Sequence, residues 1–369
     1  SRSGASLANI FVQRQREFGY AGRLFVLHPE ADDISGAPCV RDAAEVGEPV
    51  DFAYVAVPGP NVTELLARWT GQVRIAQVIT SGFRETGPDG RRLEEEMVRV
   101  ARAGGIRLVG PNCIGTYSPG GGLTLVDNAP PEPGDIGVAS QSGVVAADVV
   151  KIGGFHGGRF SQVASIGNCA DVDLVDVYEH FVADPGTRVI GLYAEDVGRG
   201  RAFLDALGRA EGRKPTVLLK GGLTERGQRS AALHTGALAS DQRVWRGIAA
   251  QFGVSLTSSI EAFAHSLVGL SLWRGRGTPR GRRCCLVGPG GVMSVLGTDM
   301  FRDAGLEVPE LSDETLSPLG DLRLPPGHSL RNPIDTPVGV LAARGGRAFG
   351  EILAQVARSG EVDWFVVHL

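Results

Sequence analysis

The sequence predicts an α/β fold built on parallel sheets and divided into two or three domains. Three observations carry this. Short apolar runs alternate with longer segments of helical period, the pattern of repeated β-α units. The runs are rich in Val and Ile and show little in-and-out alternation, as expected of strands buried on both faces. Glycine supplies 53 of 369 residues, about twice ordinary usage, with no fixed period, which suits many tight strand-to-helix turns. A chain this long should hold more than one core.

The first part, residues 1–130, reads as strands at 24–27, 52–57, 75–80 and 106–109, with helices near 6–18, 61–70 and 90–103. Asn128-Ala129-Pro130-Pro131-Glu132-Pro133-Gly134-Asp135 breaks any helix and sets the first boundary. The second part, residues 131–275, repeats the alternation. Its strands are at 136–139, 160–165, 188–193, 216–219 and 254–256, and its helices at 143–152, 174–182, 202–210, 238–252 and 260–272. The basic run from Arg274 to Arg283 reads as a solvated linker, because no aromatic residues are interleaved as in a single-strand RNA site. The third part, residues 281–369, opens with a strand at 284–287. It turns at Gly288-Pro289-Gly290-Gly291 and enters a helix at 292–301. The chain starts without Met and stops in what reads as a strand, so we expect it to be part of a longer polypeptide.

Composition narrows the function classes. The formal net charge of −4 gives no surface-wide cationic field for nucleic acid or membrane. No run of about 18 apolar residues occurs and no signal peptide is visible. Five cysteines, an odd number without paired metal-ligand spacing, point to a reducing cytoplasm with neither a disulfide framework nor a metal site.

Several strand-end motifs can carry chemistry. Leu233-His234-Thr235-Gly236 lies between the glycine-rich Lys220-Gly221-Gly222 and a helix for which Thr235 is the expected N-cap. An imidazole held there titrates near neutrality and is able to attack phosphorus or act as a base, or it simply lines the helix start. Ser3, Gly4 and Ser6 precede the first helix, as a phosphate-binding turn or a plain cap. Val57-Pro58 and Ile79-Thr80-Ser81 end two parallel strands, where α/β sheets form their ligand crevice. In Gly110-Pro111-Asn112-Cys113-Ile114-Gly115, the Asn112 amide suits a carboxylate or acyl phosphate. Cys113 is a reactive thiol or a small apolar filler. Ser142, Gly143 and Val144 open a helix as an anion site. A hydrolase elbow is not met, since Ala139 stands where its first glycine belongs. Tyr193-Ala194-Glu195-Asp196 ends a strand, where Glu195 is placed to hold one imidazole nitrogen or is a solvated acid.

Together these motifs, with Ser165-Ile166-Gly167-Asn168, Ala170-Asp171-Val172-Asp173 and Arg331-Asn332-Pro333-Ile334-Asp335, resemble the NDP-forming acyl-CoA synthetases. The likeness is to the alpha-type half of ADP-forming acetyl-CoA synthetase and, more distantly, to the succinyl-CoA synthetase alpha subunit. It covers nearly the whole chain. It implies a Rossmann-like CoA-binding domain followed by two flavodoxin-like domains, the last incomplete here. It places the phosphorylated histidine on His234 and its supporting glutamate on Glu195. The phosphate and phosphohistidine site falls on Ser142, Gly143, Val144 and Gly236, and the acyl site on Asn112 and Cys113. CoA falls to Ser3, Gly4, Ser6, Pro29, Val57, Pro58, Ile79, Thr80 and Ser81. The implied reaction is reversible: acyl-CoA, ADP and phosphate give acid, CoA and ATP. ATP or ADP with Mg²⁺ belongs to an ATP-grasp domain or beta-type subunit, and no such domain or P-loop motif is recognised in this sequence. An oligomer is expected. Leu233 and Glu30 depart from the family pattern, at positions where serine and a CoA-contacting lysine are usual. The first strand and first glycine of the phosphate loop are expected outside this chain. A non-catalytic acyl-CoA-binding module is therefore the alternative. An NAD(P) oxidoreductase lacks both the full glycine fingerprint and a clear ribose-binding acid.

Overall fold

A computed structural model describes residues 7–124, 126–222, 241–273, 281–322, 324, 326–337, 339–340 and 343–368. The chain forms two compact units, Ser1–Arg274 and Gly275–Leu369.

Unit one begins with α1 (Leu7–Glu17), β1 (Val26–Leu27), β2 (Asp33–Ile34) and β3 (Ala37–Val40), then β4 (Val50–Val55), α2 (Gly59–Arg68), β5 (Val73–Val78), α3 (Pro88–Ala103) and β6 (Arg107–Val109). Strands β4, β5 and β6 run parallel in that order. Val55, Ala76, Val78 and Leu108 pack with Val62, Leu66 and Met97 from α2 and α3. Phe11 of α1 stacks on Tyr54, with ring centroids 4.0 Å apart. The short β2–β3 hairpin, absent from the sequence reading, turns on Ser35 and Gly36, both at positive φ. That is the left-handed pair a two-residue hairpin requires.

A six-stranded sheet follows. Its members are β7 (Thr116–Tyr117), β8 (Ile136–Ser140), β9 (Phe160–Ser165), β10 (Val189–Ala194), β11 (Thr216–Lys220) and β12 (Ser255–Thr257), in the order β12-β11-β10-β8-β9-β7. All pairs are parallel except the edge pair β7–β9. Every residue of β8 and β11 is buried, as helices on both faces dictate. One face carries α4 (Gly143–Phe155) and a C-terminal helix, Ile260–Trp273, with Val149, Phe160, Phe263 and Leu267 between them. The other carries α5 (Leu174–Ala183), α6 (Gly200–Ala210) and α7 (Gln242–Phe252), over Phe181, Leu192, Phe203 and Trp245.

The helix expected over 238–252 starts later. Asp241 is its N-cap, accepting from Arg243 N at 2.8 Å, and residues 238–240 lie outside the described residues. A carboxylate is a stronger cap than the apolar stretch before it. Thr235 lies outside the described residues.

Unit two has a parallel three-stranded sheet whose middle strand is Cys284–Gly288, flanked by Ile334–Asp335 and Trp364–Val367. Asn332 fixes its centre, accepting from Leu286 N at 3.1 Å and donating to Cys284 O at 2.8 Å. The helix after the Gly288-Pro289-Gly290 turn spans Gly291–Asp303.

Candidate functional site

The site is built where the carboxyl ends of the strands of the two main sheets in unit one meet. Strands β4 and β5 stop earlier than their apolar runs suggest, at Val55 and Val78. Val57-Pro58 and Ile79-Thr80-Ser81 are therefore loops. Thr80 Oγ1 donates to Val57 O at 2.6 Å, and Asn112 N donates to Thr80 O at 3.0 Å. Three consecutive strand ends are thus tied side by side. Pro58 precedes α2, and Gly82 sits at φ 103, a conformation glycine adopts without strain. Pro29 lies on the exposed turn after β1, in the smaller β1-β3-β2 sheet. There His28 Nδ1 accepts from Glu30 N and Ala31 N, at 3.2 and 2.9 Å, and Arg41 donates to His28 O at 2.8 Å.

The 110–113 loop after β6 is zipped to the 166–172 loop after β9. Asn168 N donates to Pro111 O, Ala170 N to Gly110 O and Val172 N to Leu108 O, at 2.9, 3.0 and 3.0 Å. Asn112 and Cys169 hold positive φ, 57° and 54°, a conformation non-glycine residues adopt mainly when their surroundings enforce it. Gly167 is obligatory here: a Cβ would lie 2.1 Å from Pro111 O. The buried Asn168 side chain donates to Glu85 Oε2 at 2.6 Å and Glu94 Oε2 at 2.9 Å. Its Oδ1 accepts from Asn112 Nδ2 at 3.3 Å. Arg84 donates to Asn168 O and pairs with Glu94. Burial works to raise both carboxyls. At Glu85 the N–H donors of Asn168 and Gly82 win and hold it below the usual range, whereas at Glu94 burial wins and the carboxyl titrates higher.

Cys113 is packed, not presented. Its thiol donates to Val78 O at 3.4 Å, and burial pushes its pKa up to about 12. That is the environment of an inert, structural cysteine. Cys169 is likewise raised to about 12 by burial.

Ser142 caps α4, its Oγ accepting from Val145 N at 3.4 Å. The first backbone bond of the helix runs from Ala146 N to Ser142 O, so the N–H groups of Gly143 and Val144 precede the helix's own ladder. A Cβ on Gly143 would lie 2.4 Å from Ile114 Cγ2, so glycine lets this helix start abut the 110–114 loop.

Glu195 lies just beyond β10, and Gln141 pins it there. Gln141 Oε1 accepts from Glu195 N at 2.5 Å and Asp196 N at 3.0 Å, while its Nε2 donates to Asp196 O at 2.8 Å. Tyr193 donates to Glu195 Oε1 at 3.1 Å. Lys220, buried at the end of β11, donates to Glu195 O at 2.8 Å and to Gly221 O, with its ammonium 5.4 Å from the Trp245 ring centroid. Burial lowers its pKa, ahead of the opposing pull of Asp196 and Glu195. A cleft of about 70 Å³ adjoins, lined by Arg84, Gln141, Cys169, Asp173, Leu174 and Asp196.

The structure therefore brings Asn112, Ser142, Gly143 and Glu195 to one crest. Ser3, Gly4, Ser6, His234 and Gly236 lie outside the described residues. Asn168, Tyr193 and Lys220 stood inside quoted motifs without a role, and Gln141 just before one, because their partners become neighbours only through the topology. Among the described residues, no three His, Cys, Asp or Glu converge as a metal site, and no helix is long and apolar enough to cross a membrane.

Comparison with known proteins identifies the domains and the family. Residues 1–119 match a CoA binding domain, and residues 133–268 match a succinyl-CoA ligase like flavodoxin domain. The chain is 30% identical to the alpha subunit of ADP-forming acetate–CoA ligase II from Pyrococcus furiosus, over 88% of this chain and 69% of that one. It is 32% identical to ADP-forming acetate–CoA ligase I from Archaeoglobus fulgidus, over 97% of this chain and 51% of that protein. It thus spans about two thirds of the alpha subunit and half of the longer relative. A solved structure, the dinucleotide-forming acetyl-coenzyme A synthetase 1 of Ca. Korarchaeum cryptofilum, superposes with a TM-score of 0.83 at 30% identity, covering 100% of this chain and 78% of that one.

Proposed function

Because the chain belongs to the family of NDP-forming acid–CoA ligases, on its alpha-subunit side, we propose that it supplies the CoA-handling and phosphohistidine half of a reversible ligase. The division near residues 130 and 275 is supported by the two family matches and the two compact units. In the ATP-forming direction, phosphate attacks the acyl-CoA carbonyl, the thioester bond breaks and CoA leaves as its thiol. His234 attacks the phosphorus of the resulting acyl phosphate and the carboxylate leaves. ADP then takes the phosphoryl group from the imidazole. Splitting the transfer this way replaces one difficult step by several smaller ones.

The observation that carries this reading is the Gln141 clamp, which holds the Glu195 strand end against the turn that starts α4. A carboxylate at that place fixes one ring nitrogen of a histidine and leaves the other to attack. The N–H groups of Gly143 and Val144, at the positive end of α4, receive the phosphoryl oxygens. The loops at Val57-Pro58 and Ile79-Thr80-Ser81, with Pro29 and the opening residues Ser3, Gly4 and Ser6, take CoA; the small side chains and the α2 start are suited to its phosphates. The acyl group lies beside Asn112, with the Cys113 side chain serving as packing.

Nucleotide and Mg²⁺ bind at an ATP-grasp domain, on a partner subunit or elsewhere in the same polypeptide, and the assembly is an oligomer. A cytoplasmic setting is supported by the five free cysteines. The test is reconstitution with such a partner, following CoA- and acid-dependent ADP formation from ATP. CoA binding without turnover would favour the second reading, an acyl-CoA-binding module. The acidic Glu30 on the exposed turn after β1 is the observation that motivates that alternative.

A further inference from the structure

The Asn112–Asn168 hydrogen bond carries a direction that its neighbours impose. Glu85 Oε1 accepts from Gly82 N at 2.6 Å and Phe83 N at 3.1 Å, as an ionised carboxylate does. Glu85 Oε2 and Glu94 Oε2 both face Asn168, at 2.6 and 2.9 Å. Two acceptors on one amide require its NH₂ to point at them, which turns Asn168 Oδ1 the other way. The atom it meets, 3.3 Å off, must then be the NH₂ of Asn112. Among the described residues no hydrogen bond reaches the Asn112 carbonyl oxygen, on a half-buried side chain in the loop after β6. One amide hydrogen is used inside the network, which leaves the oxygen as an acceptor beside the second N–H.

We infer that Asn168 is a positioning residue that holds Asn112 with Oδ1 outward, and that this oxygen accepts a hydrogen bond from the pantetheine end of CoA. The inference rests on the ligase reading for CoA's presence and specifies which chemistry Asn112 recognises there. A carbonyl oxygen repels a carboxylate and attracts a donor. The reacting end of CoA offers two, the thiol S–H and the nearest amide N–H. The place fits such a ligand: Asn112 N is bonded to Thr80 O of the first sheet, while its side chain is bonded to Asn168 after β9 of the second. An arm reaching from the first sheet to the ligase chemistry passes this junction.

Asn112→Gly tests the inference without straining the loop, because glycine accepts the φ of 57°. Calorimetric titration of the wild-type and variant chains uses CoA and desulfo-CoA, which lacks the sulfur. A tenfold weaker binding of CoA is the expected scale, about one hydrogen bond. If only CoA weakens, the donor is the thiol; if both ligands weaken, it is the amide, and either result supports the inference. With the nucleotide-binding partner present, KM for CoA should rise about as much, and by more than KM for the acid, whose acyl group also lies beside Asn112. Unchanged affinity for both ligands, or a rise in the acid's KM instead, overturns it. Failure of the ligase reading has a separate signature, no turnover by the wild-type assembly while the difference in CoA affinity persists.

Discussion

The amide N–H of Glu195 lies 2.5 Å from Gln141 Oε1, so the end of β10 and the turn before α4 move as one piece. The same oxygen takes Asp196 N, and Lys220 takes Glu195 O from the other side. The carboxylate at this position is therefore held by its backbone, before any ligand arrives. Preorganisation of this kind is what an electrostatic site requires.

Tyr193 tunes that carboxylate through its hydrogen bond to Glu195 Oε1. Tyr193→Phe removes that donor and leaves the carboxylate less firmly oriented. Single-turnover phosphoryl transfer should slow by about three- to tenfold, against about 10²-fold or more for Glu195→Gln. An unchanged transfer rate in the phenylalanine variant would remove Tyr193 from the account.

Gly167→Ala addresses the zipped loops. The new Cβ would meet Pro111 O at 2.1 Å, and the φ of 48° strains any side chain. A backbone oxygen cannot step aside cheaply, so the loss should be about 2 kcal/mol or more. Differential scanning calorimetry should show unit one melting earlier by several degrees. Gly71→Ala is the matched control. It has a similar φ of 73° and open space around the added methyl, so it should cost less.

Glu94 and Glu85 give opposite pH signatures. Glu94 is raised by burial, so the fold holds its proton more tightly than the unfolded chain. Its contribution is full below the unfolded value and is lost as pH rises through the folded one. Glu85 is lowered: burial opposes this, but the donors of Asn168 and Gly82 prevail. Its contribution is present above the unfolded value and is lost as pH falls through the folded one. Denaturant melts across acid to neutral pH should show Glu94→Gln removing a loss on the alkaline side of its window. Glu85→Gln should remove a loss on the acid side. Parallel pH profiles for the two variants would contradict the assignment.

Asp171 joins the loops with charge. Its nearly buried carboxylate receives Arg102, Arg107 and Leu108 N. Burial raises it, but Arg107 and the Leu108 amide outweigh this and hold it low. Both arginines are more than half exposed, which screens the pairs, so Asp171→Asn should cost about 1–2 kcal/mol at neutral pH. The difference from wild type should close as pH falls through the folded value, read from the same denaturant melts.

Much of this was legible in the sequence, and the limits have physical reasons. The β-α alternation located the two main parallel sheets of unit one, since apolar runs buried on two faces leave a strong pattern. Strand ends were less sharp. Ala56 and Val57 continue an apolar run, yet the chain has already left β4 because Val57 O serves Thr80 Oγ1. Ser142 was readable as the start of a helix, and the structure adds that its Oγ caps it. The Gln141 clamp was not, because its partners are 54 and 55 residues away. Asn168 reaches Glu85 across 83 residues, and only the packed loops reveal why an asparagine is needed there.

The central claim is that His234 carries a phosphoryl group. The direct measurement is labelling of the assembled enzyme with radioactive ATP and magnesium, followed by acid and base treatment of the protein. The account predicts base-stable, acid-labile phosphate on this chain, discharged by acid plus CoA and absent in His234→Ala. Equal labelling of the alanine variant would contradict it.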